Sequence, residues 1–496
     1  MTKAHILGNN SDYWSGMTET VQYYYDYIYD GATFSFWCKR SDVGTGKEMY
    51  IYDSASPLAN QYVGWDSGYW ASFGFDENDK FFMYAFNGNY YTHDHIITSM
   101  KFSDPNAWYH IHLYINAEES VASNRFKLTV NGQLITEYVP ASRSDFVDSG
   151  TSMPIPGGFW DAPAISGDNY YQANYNIGIG GPSNILGRSY NSTTNNKEFK
   201  GILSHFYYDS KEHAASNFGE VDSTTGIWKF KPYSPTWSEH GFYILKDDNG
   251  FTDQSGKSPG YINTVTITGS VTDTLDCPSN VFATMNPLVA TANTDRSFAN
   301  GNTYVVLGGT ARVPEYSTLG MTSGKYYAEV KDIGGSGGNS IAGISGQTYR
   351  ANVTDYLGFD AYDYSYNSST GDKGNSNSES SYGDTWTDGN IIGIALDLDN
   401  NKIYFSKNGV WQNSGNPTSG ATGTGAAYTV TAPSSTSEGA YFFACGDNNQ
   451  YAERRMAWNF GNGYFQTTAV STAGTNASGN GIFEYDVPTG FTALST

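Results

Sequence analysis

The residues best equipped for chemistry in this chain are carboxylates, histidines and a set of closely spaced tyrosines. Asp76-Glu77-Asn78-Asp79 gathers hard oxygen donors of the kind a calcium ion takes. A calcium site on Asp76, Glu77 and Asp79 is therefore the metal expectation. The run lies between Trp70-Ala-Ser-Phe73 and Phe81-Phe-Met-Tyr84, so an ordinary polar hairpin turn is the alternative. His93-Asp94-His95 and His110-Ile111-His112 are His-x-His pairs, and on a strand positions i and i+2 share a face. Nothing in the sequence brings the two pairs together. All eight histidines lie at or before His240, which excludes histidine acid–base chemistry from the second half. No catalytic constellation emerges, and the expectation is a protein that is not an enzyme.

Binding is the better use of these residues. Tyr356, Phe359, Tyr362, Tyr364 and Tyr366 alternate with Asp355, Asp360 and Asp363 at the mouth of a long Ser/Gly/Asn-rich stretch. Rigid amphipathic rings among polar groups suit glycan or protein contacts, at small entropic cost. Tyr356, Tyr362, Tyr364, Tyr366 and Asp363 are the candidate contact residues there, with Trp65 and Trp70 in a second aromatic stretch. The same alternation also fits a half-exposed strand that is merely structural.

The elements that must position these residues are strands. Phe34, Phe36 and Cys38 share one face of a period-two run, as do Ile111, Leu113 and Ile115, then Phe126, Leu128 and Val130. Ile392, Ile394, Leu396 and Leu398 do the same further on, and Asn131-Gly132 and Asn408-Gly409 supply turns. Short antiparallel strands with one buried face build sandwiches. The expected fold class is all-β, with two antiparallel β-sandwich (jelly-roll) domains joined by a β-rich connector. No fixed-period repeat or heptad is visible.

At 496 residues the chain exceeds what one core serves comfortably. Its 79 aromatic residues rule out a disordered polyampholyte. There are 27 basic and 49 acidic residues, a net charge of −22. Up to Gly250 the numbers are 16 and 28, and after it 11 and 21, so the acidity is spread evenly. Such a surface repels phosphate backbones, so no nucleic-acid partner is expected. No apolar run approaches the ~20 residues of a membrane helix, so no membrane insertion is expected either. No signal peptide is visible, and three distant cysteines make no disulfide framework, which suggests folding in a reducing cytoplasm.

Motifs add two resemblances. Thr33 to Ser41, Trp108-Tyr-His-Ile-His112, Arg125 to Gly132 and Phe199-Lys-Gly-Ile202 together resemble a concanavalin A-like (laminin-G-like) jelly roll. Some relatives of that fold are glycosidases with a Glu-x-Asp-x-x-Glu strand, a pattern this sequence lacks. Ser323 to Val330, Ile341-Ala-Gly-Ile344, Gly389 to Asp399, Tyr404 to Gly409 and Trp458-Asn-Phe-Gly461 resemble a SPRY domain. Phe218-Gly-Glu220, Thr225 to Trp228, Asn280 to Pro287 and Asp486 to Phe491 are similar to bacteriophage virion proteins in which a laminin-G-like domain precedes a SPRY domain.

The resulting division is 1–212 for the first jelly roll, 213–290 for the connector, 291–466 for the SPRY-like sandwich and 467–496 for a carboxyl-terminal tail. The resemblance implies a surface-displayed virion structural protein assembled in the host cytoplasm. One form is a tail-fibre or head-fibre adsorption component recognising a host-surface glycan or receptor. The other is a capsid or tail decoration protein binding other virion proteins. A homo-oligomer is expected, and a trimer would suit a fibre.

Overall fold

The computed structural model describes residues 4–7, 16–19, 32–55, 69–87, 93–115, 124, 126–139, 183–186, 199–209, 211–238, 241–246, 252–256, 265–268, 272–289, 296–308, 312, 314–337, 339–350, 352–449 and 453–496. The chain is all-β, and it divides into two compact units, Met1–Asp273 and Thr274–Thr496. Each is a sandwich of two antiparallel sheets.

In the first unit one sheet runs through Gln133–Leu134, Phe126–Val130, Trp108–Ile115, Ala32–Arg40 and Gly201–Asp209. The facing sheet includes Met49–Ala55, Tyr69–Phe75, Lys80–Asn87 and His93–Lys101. The alternating residues do what the sequence predicts. Phe34, Phe36, Cys38, Ile111, Leu113 and Leu128 meet Ile51, Tyr52, Phe73, Phe75 and Met83 in one core. Fully burying a side chain of this size contributes about 1.5–3 kcal/mol.

The opposite faces depart from the expectation of a single buried side. Ala32–Arg40, Trp108–Ile115 and Gly201–Asp209 are buried at every position. Their outer face lies beneath the segment 211–238. Thr33 Oγ1 donates to the Lys211 carbonyl at 2.7 Å and accepts from the His213 N–H at 3.0 Å. Tyr207, Phe218, Trp237 and Tyr243 form a small second core on that side. The expected connector is therefore divided: up to Asp273 it belongs to the first unit, and from Thr274 to the second. Phe242–Ile244 pairs with Gly201–Asp209, and Val265–Thr268 pairs with Gly16–Glu19. A bulge between Ser204 and Tyr207, with His205 at φ 52°, turns His205 onto the covered face.

The second unit repeats the plan. One sheet places Lys325–Gly335 between Arg454–Asn459 and Ile391–Asp397, with Lys402–Lys407 beyond. The other runs Glu315–Tyr316, Phe442–Asp447, Ser340–Ser345, Asp363–Asn367, Asp372–Asn375 and Ser378–Ser381. Val330, Ile392, Ile394, Ile344, Phe443 and Trp458 share its core.

Both ends of this unit are structural. Phe282 and Met285, and Phe483, Val487, Phe491 and Leu494, are buried in the same core. Residues 467–496 are thus no loose tail. The Glu329 carboxylate accepts the backbone N–H groups of Glu484 and Tyr485, each at 2.9 Å, and Phe483 packs on Tyr327 with ring centroids 5.0 Å apart.

Cys38, Cys277 and Cys445 are free thiols, and all are buried. Burial raises all three, Cys445 to about 12.

Candidate functional site

Ser340–Ser345 and Asp363–Asn367 are adjacent strands, paired from Ile341 with Asn367 to Ser345 with Asp363. The chain between them, described at 346–350 and 352–362, leaves the strand ends and folds back over the outer face of the sheet. Gly346 donates to the Tyr362 carbonyl at 3.0 Å and closes the neck of the loop. Leu357, fully buried, packs down onto Tyr316, Ile341 and Ala444.

One side chain fixes this loop. Arg350 is buried, and its Nη2 and Nη1 donate to Asp363 Oδ1 and Oδ2 at 2.7 and 3.0 Å. Its Nε donates to the Tyr316 hydroxyl at 2.8 Å, Nη2 to Ser345 Oγ at 3.2 Å, and Nη1 also to Asp360. Asp363 accepts, in addition, the backbone N–H groups of Gly358 and Asp360, each at 3.1 Å. Burial opposes the guanidinium charge, but Tyr316 and Asp363 more than offset it and the net shift is upward. Asp360 moves up because burial outweighs its Arg350 contact. Gly358 has φ 113°, and a Cβ there would lie 2.6 Å from Ser365 Oγ.

The clamped loop carries its apolar groups outward. Tyr349 is 68% exposed and Val353 37%, while Tyr356, Phe359 and Tyr362 are half-buried. Tyr356 and Phe359 meet edge to face at 6.1 Å, and the Tyr356 hydroxyl donates to Asn377 Oδ1 at 3.2 Å. Leu288, 47% exposed, stands beside Val289, which packs into the cluster under the loop. Desolvated rings held on a fixed backbone are the usual anchors of protein contacts.

The tyrosines singled out by sequence are divided by this geometry. Tyr356 and Tyr362 belong to the loop surface. Tyr364 and Tyr366 do not, because they begin the strand and point into the core. Tyr364 accepts the Thr431 N–H at 3.0 Å, and Tyr366 stacks on Phe405 at 5.5 Å. Asp363 is not a contact residue but the counter-charge of Arg350. Arg350 and Tyr349 were missed. The available signal was a lone arginine in a Ser/Gly/Asn-rich stretch of a basic-poor half. Trp65 lies outside the described residues, and Trp70 sits in Tyr69–Phe75, paired with Phe86.

Asp76 and Asp79 do come together in a hairpin turn, but the donor set does not fit a cation. Asp76 Oδ1 accepts the N–H groups of Asn78 and Lys80 at 2.9 and 2.7 Å. Asp79 accepts from the buried Arg40 guanidinium at 2.9 Å, and that positive charge would repel a metal at the same oxygens. Glu77 is exposed. Among the described residues no group of three or more His, Cys, Asp or Glu could hold a metal ion. His110 and His112 lie under the 211–238 segment. His110 pairs with Ser35 and Trp228, and His112 with the His213 carbonyl. An Asp209–His213–Ser238 trio also fails as a nucleophile triad. Ser238 Oγ donates to Asp209, and the far nitrogen of His213 meets Tyr233.

Comparison with known proteins bears on the second unit. Residues 325–445 match the family model of the SPRY domain. Over 92 residues the chain is 39% identical to a Drosophila melanogaster protein, "Ran-binding proteins 9/10 homolog"; that stretch is 18% of this chain and 9% of the fly protein. The SPRY domain of human HERC1 is 17% identical with a TM-score of 0.26, covering 35% of this chain and 96% of that one. Stonustoxin is 16% identical with a TM-score of 0.26, over 36% of this chain and 27% of that one.

The fly relative overturns the expectation of a bacteriophage virion protein, whether adsorption fibre or decoration protein, and with it the virion location. The trimer expected of a fibre loses its basis as well. Residues 325–445 are a SPRY domain.

Proposed function

We propose that this chain is a recognition protein without catalytic activity, whose SPRY domain takes a protein partner on the surface of loop 346–362. The observation that carries this is the Arg350 clamp. It holds Tyr349, Val353, Tyr356, Phe359 and Tyr362 in one arrangement before any partner arrives, so little ordering entropy opposes binding. The fly relative is named as a homologue of Ran-binding proteins, and binding rather than turnover is the role proposed here; the matched stretch is too small a part of that protein to carry Ran itself across. For the first unit we infer a concanavalin A-like sandwich, on its motif order and its two facing sheets.

The test is affinity capture with the full chain against Tyr349→Ala/Val353→Asp. Both substituted side chains are exposed, so the double variant should melt at the parental temperature. A partner held by the parent and lost by the variant supports the reading. Identical captured sets would remove it.

A further inference from the structure

Three of the eight histidines, His110, His112 and His205, lie on one covered surface of the first sandwich; all are buried, and a single short strap lies over them, with the buried His213 just before it in the covering segment. The strap is the hairpin of Gly219–Val221 and Trp228–Phe230, with Phe218 just before it; the hairpin forms a two-stranded sheet of its own. Side chains tie it down. Trp228 stacks on His110 with centroids 6.0 Å apart, Phe230 packs at a tilt on His205 at 4.0 Å, and Phe218 lies 5.8 Å from His112. The rest of the hairpin faces outward, with Val221 and Ile227 57% and 66% exposed.

The Trp228 contact is selective for one protonation state. An indole N–H can only donate, and Trp228 Nε1 lies 3.1 Å from His110 Nδ1. Nδ1 must therefore be bare, and the ring proton sits on Nε2, which donates to Ser35 Oγ at 2.8 Å. A proton added to Nδ1 turns the acceptor into a second donor, aimed at the indole N–H. The ring of Trp228 has no room to slide inward: a Cβ on Gly132, φ 77°, would lie 2.5 Å from it.

We propose that the strap 218–230 is an acid-released cover: protonation of His110 at Nδ1 expels the Trp228 indole and bares the outer sheet face at Trp37, His110 and His112. The surroundings favour the neutral ring. Trp37 stacks on His110 at 4.9 Å, and His112 stands beside it on the same strand. Lys39 and Lys127 carry positive charge on the neighbouring strands. The 211–238 segment brings His213, paired with Asp209 and Tyr233, while Glu220, Asp222 and Lys229 lie on the hairpin. Burial, then His112, holds His110 well below the usual imidazole value, and burial brings His112 from 6.5 to about 4. Both shifts are downward, so the cover is fully held above about pH 6.5 and weakens as the pH falls. A freed two-stranded hairpin is marginal on its own and should fray.

The experiment is amide hydrogen exchange on the intact chain from pH 7.5 to 5.0, corrected for intrinsic rates. Amides of 219–230 should lose at least tenfold of their protection by pH 5, while those of 108–115 keep theirs. His110→Gln can accept from the indole and donate to Ser35 without titrating, and should hold most of that protection. If it does not fold, Trp228→Phe replaces it. That variant lacks the donor, so its hairpin should exchange faster already at pH 7.5, with a shallower pH response. Loss of 219–230 together with 108–115 in one step would overturn the proposal. So would a variant whose pH response equals the parent's.

Discussion

Arg350 and Asp363 form a two-pronged ion pair sealed between loop 346–362 and the outer face of its sheet, with both side chains fully buried. The pair is the hinge pin between a regular strand and the loop that covers it. Removing one member strands the other charge away from water, which costs about 3–5 kcal/mol. Arg350→Met should lower stability by that amount, and Arg350→Met/Asp363→Leu should recover much of it. Denaturant unfolding of the three proteins measures both effects.

The two kinds of tyrosine should separate cleanly on substitution. Tyr349→Ala should leave stability within about 0.5 kcal/mol of the parent and weaken partner capture. Tyr366→Ala opens the core beside Phe405 and should cost about 3–5 kcal/mol. Equal effects on stability would contradict the placement of these rings.

Gly358→Ala should destabilise the second unit by about 1–3 kcal/mol. It demands both a left-handed backbone from alanine and space that Ser365 Oγ occupies. A melting temperature equal to the parent's would show that the loop adopts another path.

The two units should respond to pH in opposite directions. In the second, burial raises Glu315 to about 8, Glu329 to about 7 and Asp447 to about 6. Raised carboxyl groups contribute stability that is full below their unfolded values near 4, and that is lost as the pH rises through the folded ones. In the first, the lowered imidazoles His110 and His112 contribute above about 6.5 and less in acid. Going from pH 8 to pH 5, calorimetry should show one unfolding transition rise and the other fall, by roughly 2–4 °C per kcal/mol.

Calcium should not stabilise the Asp76–Asp79 turn. Millimolar calcium is expected to leave the melting temperature unchanged, whereas Asp79→Asn should lower it with or without calcium, because Arg40 loses its counter-charge. A calcium-dependent rise in the parent would restore the metal reading.

Period-two patterning made the inner faces of both sandwiches legible, because Phe34 with Phe36 and Ile392 with Ile394 have one apolar side to hide. It could not announce that the outer faces are covered too. Trp228 opens a strand of three residues, Phe218 and Phe483 lie in irregular segments, and what they cover is remote in sequence. The tyrosine series reads in sequence as one set of contact candidates, with a strand as the alternative, because alternation does not say where a strand begins. Strand Asp363–Asn367 claims Tyr364 and Tyr366 through pairing with Ser340–Ser345, a tertiary fact. The role of Arg350, a lone arginine in sequence, was hidden for the same reason: its partners Tyr316, Ser345 and Asp363 converge only in three dimensions.

The concealed thiols give the molecule its own unfolding clocks. Cys38 reports on the first unit, and Cys277 and Cys445 on the second. Each is shielded and held protonated in the fold, so a thiol reagent reaches it only when the surrounding sandwich opens. Counting labelled cysteines against time therefore yields separate opening rates for the two sandwiches in one unmodified chain.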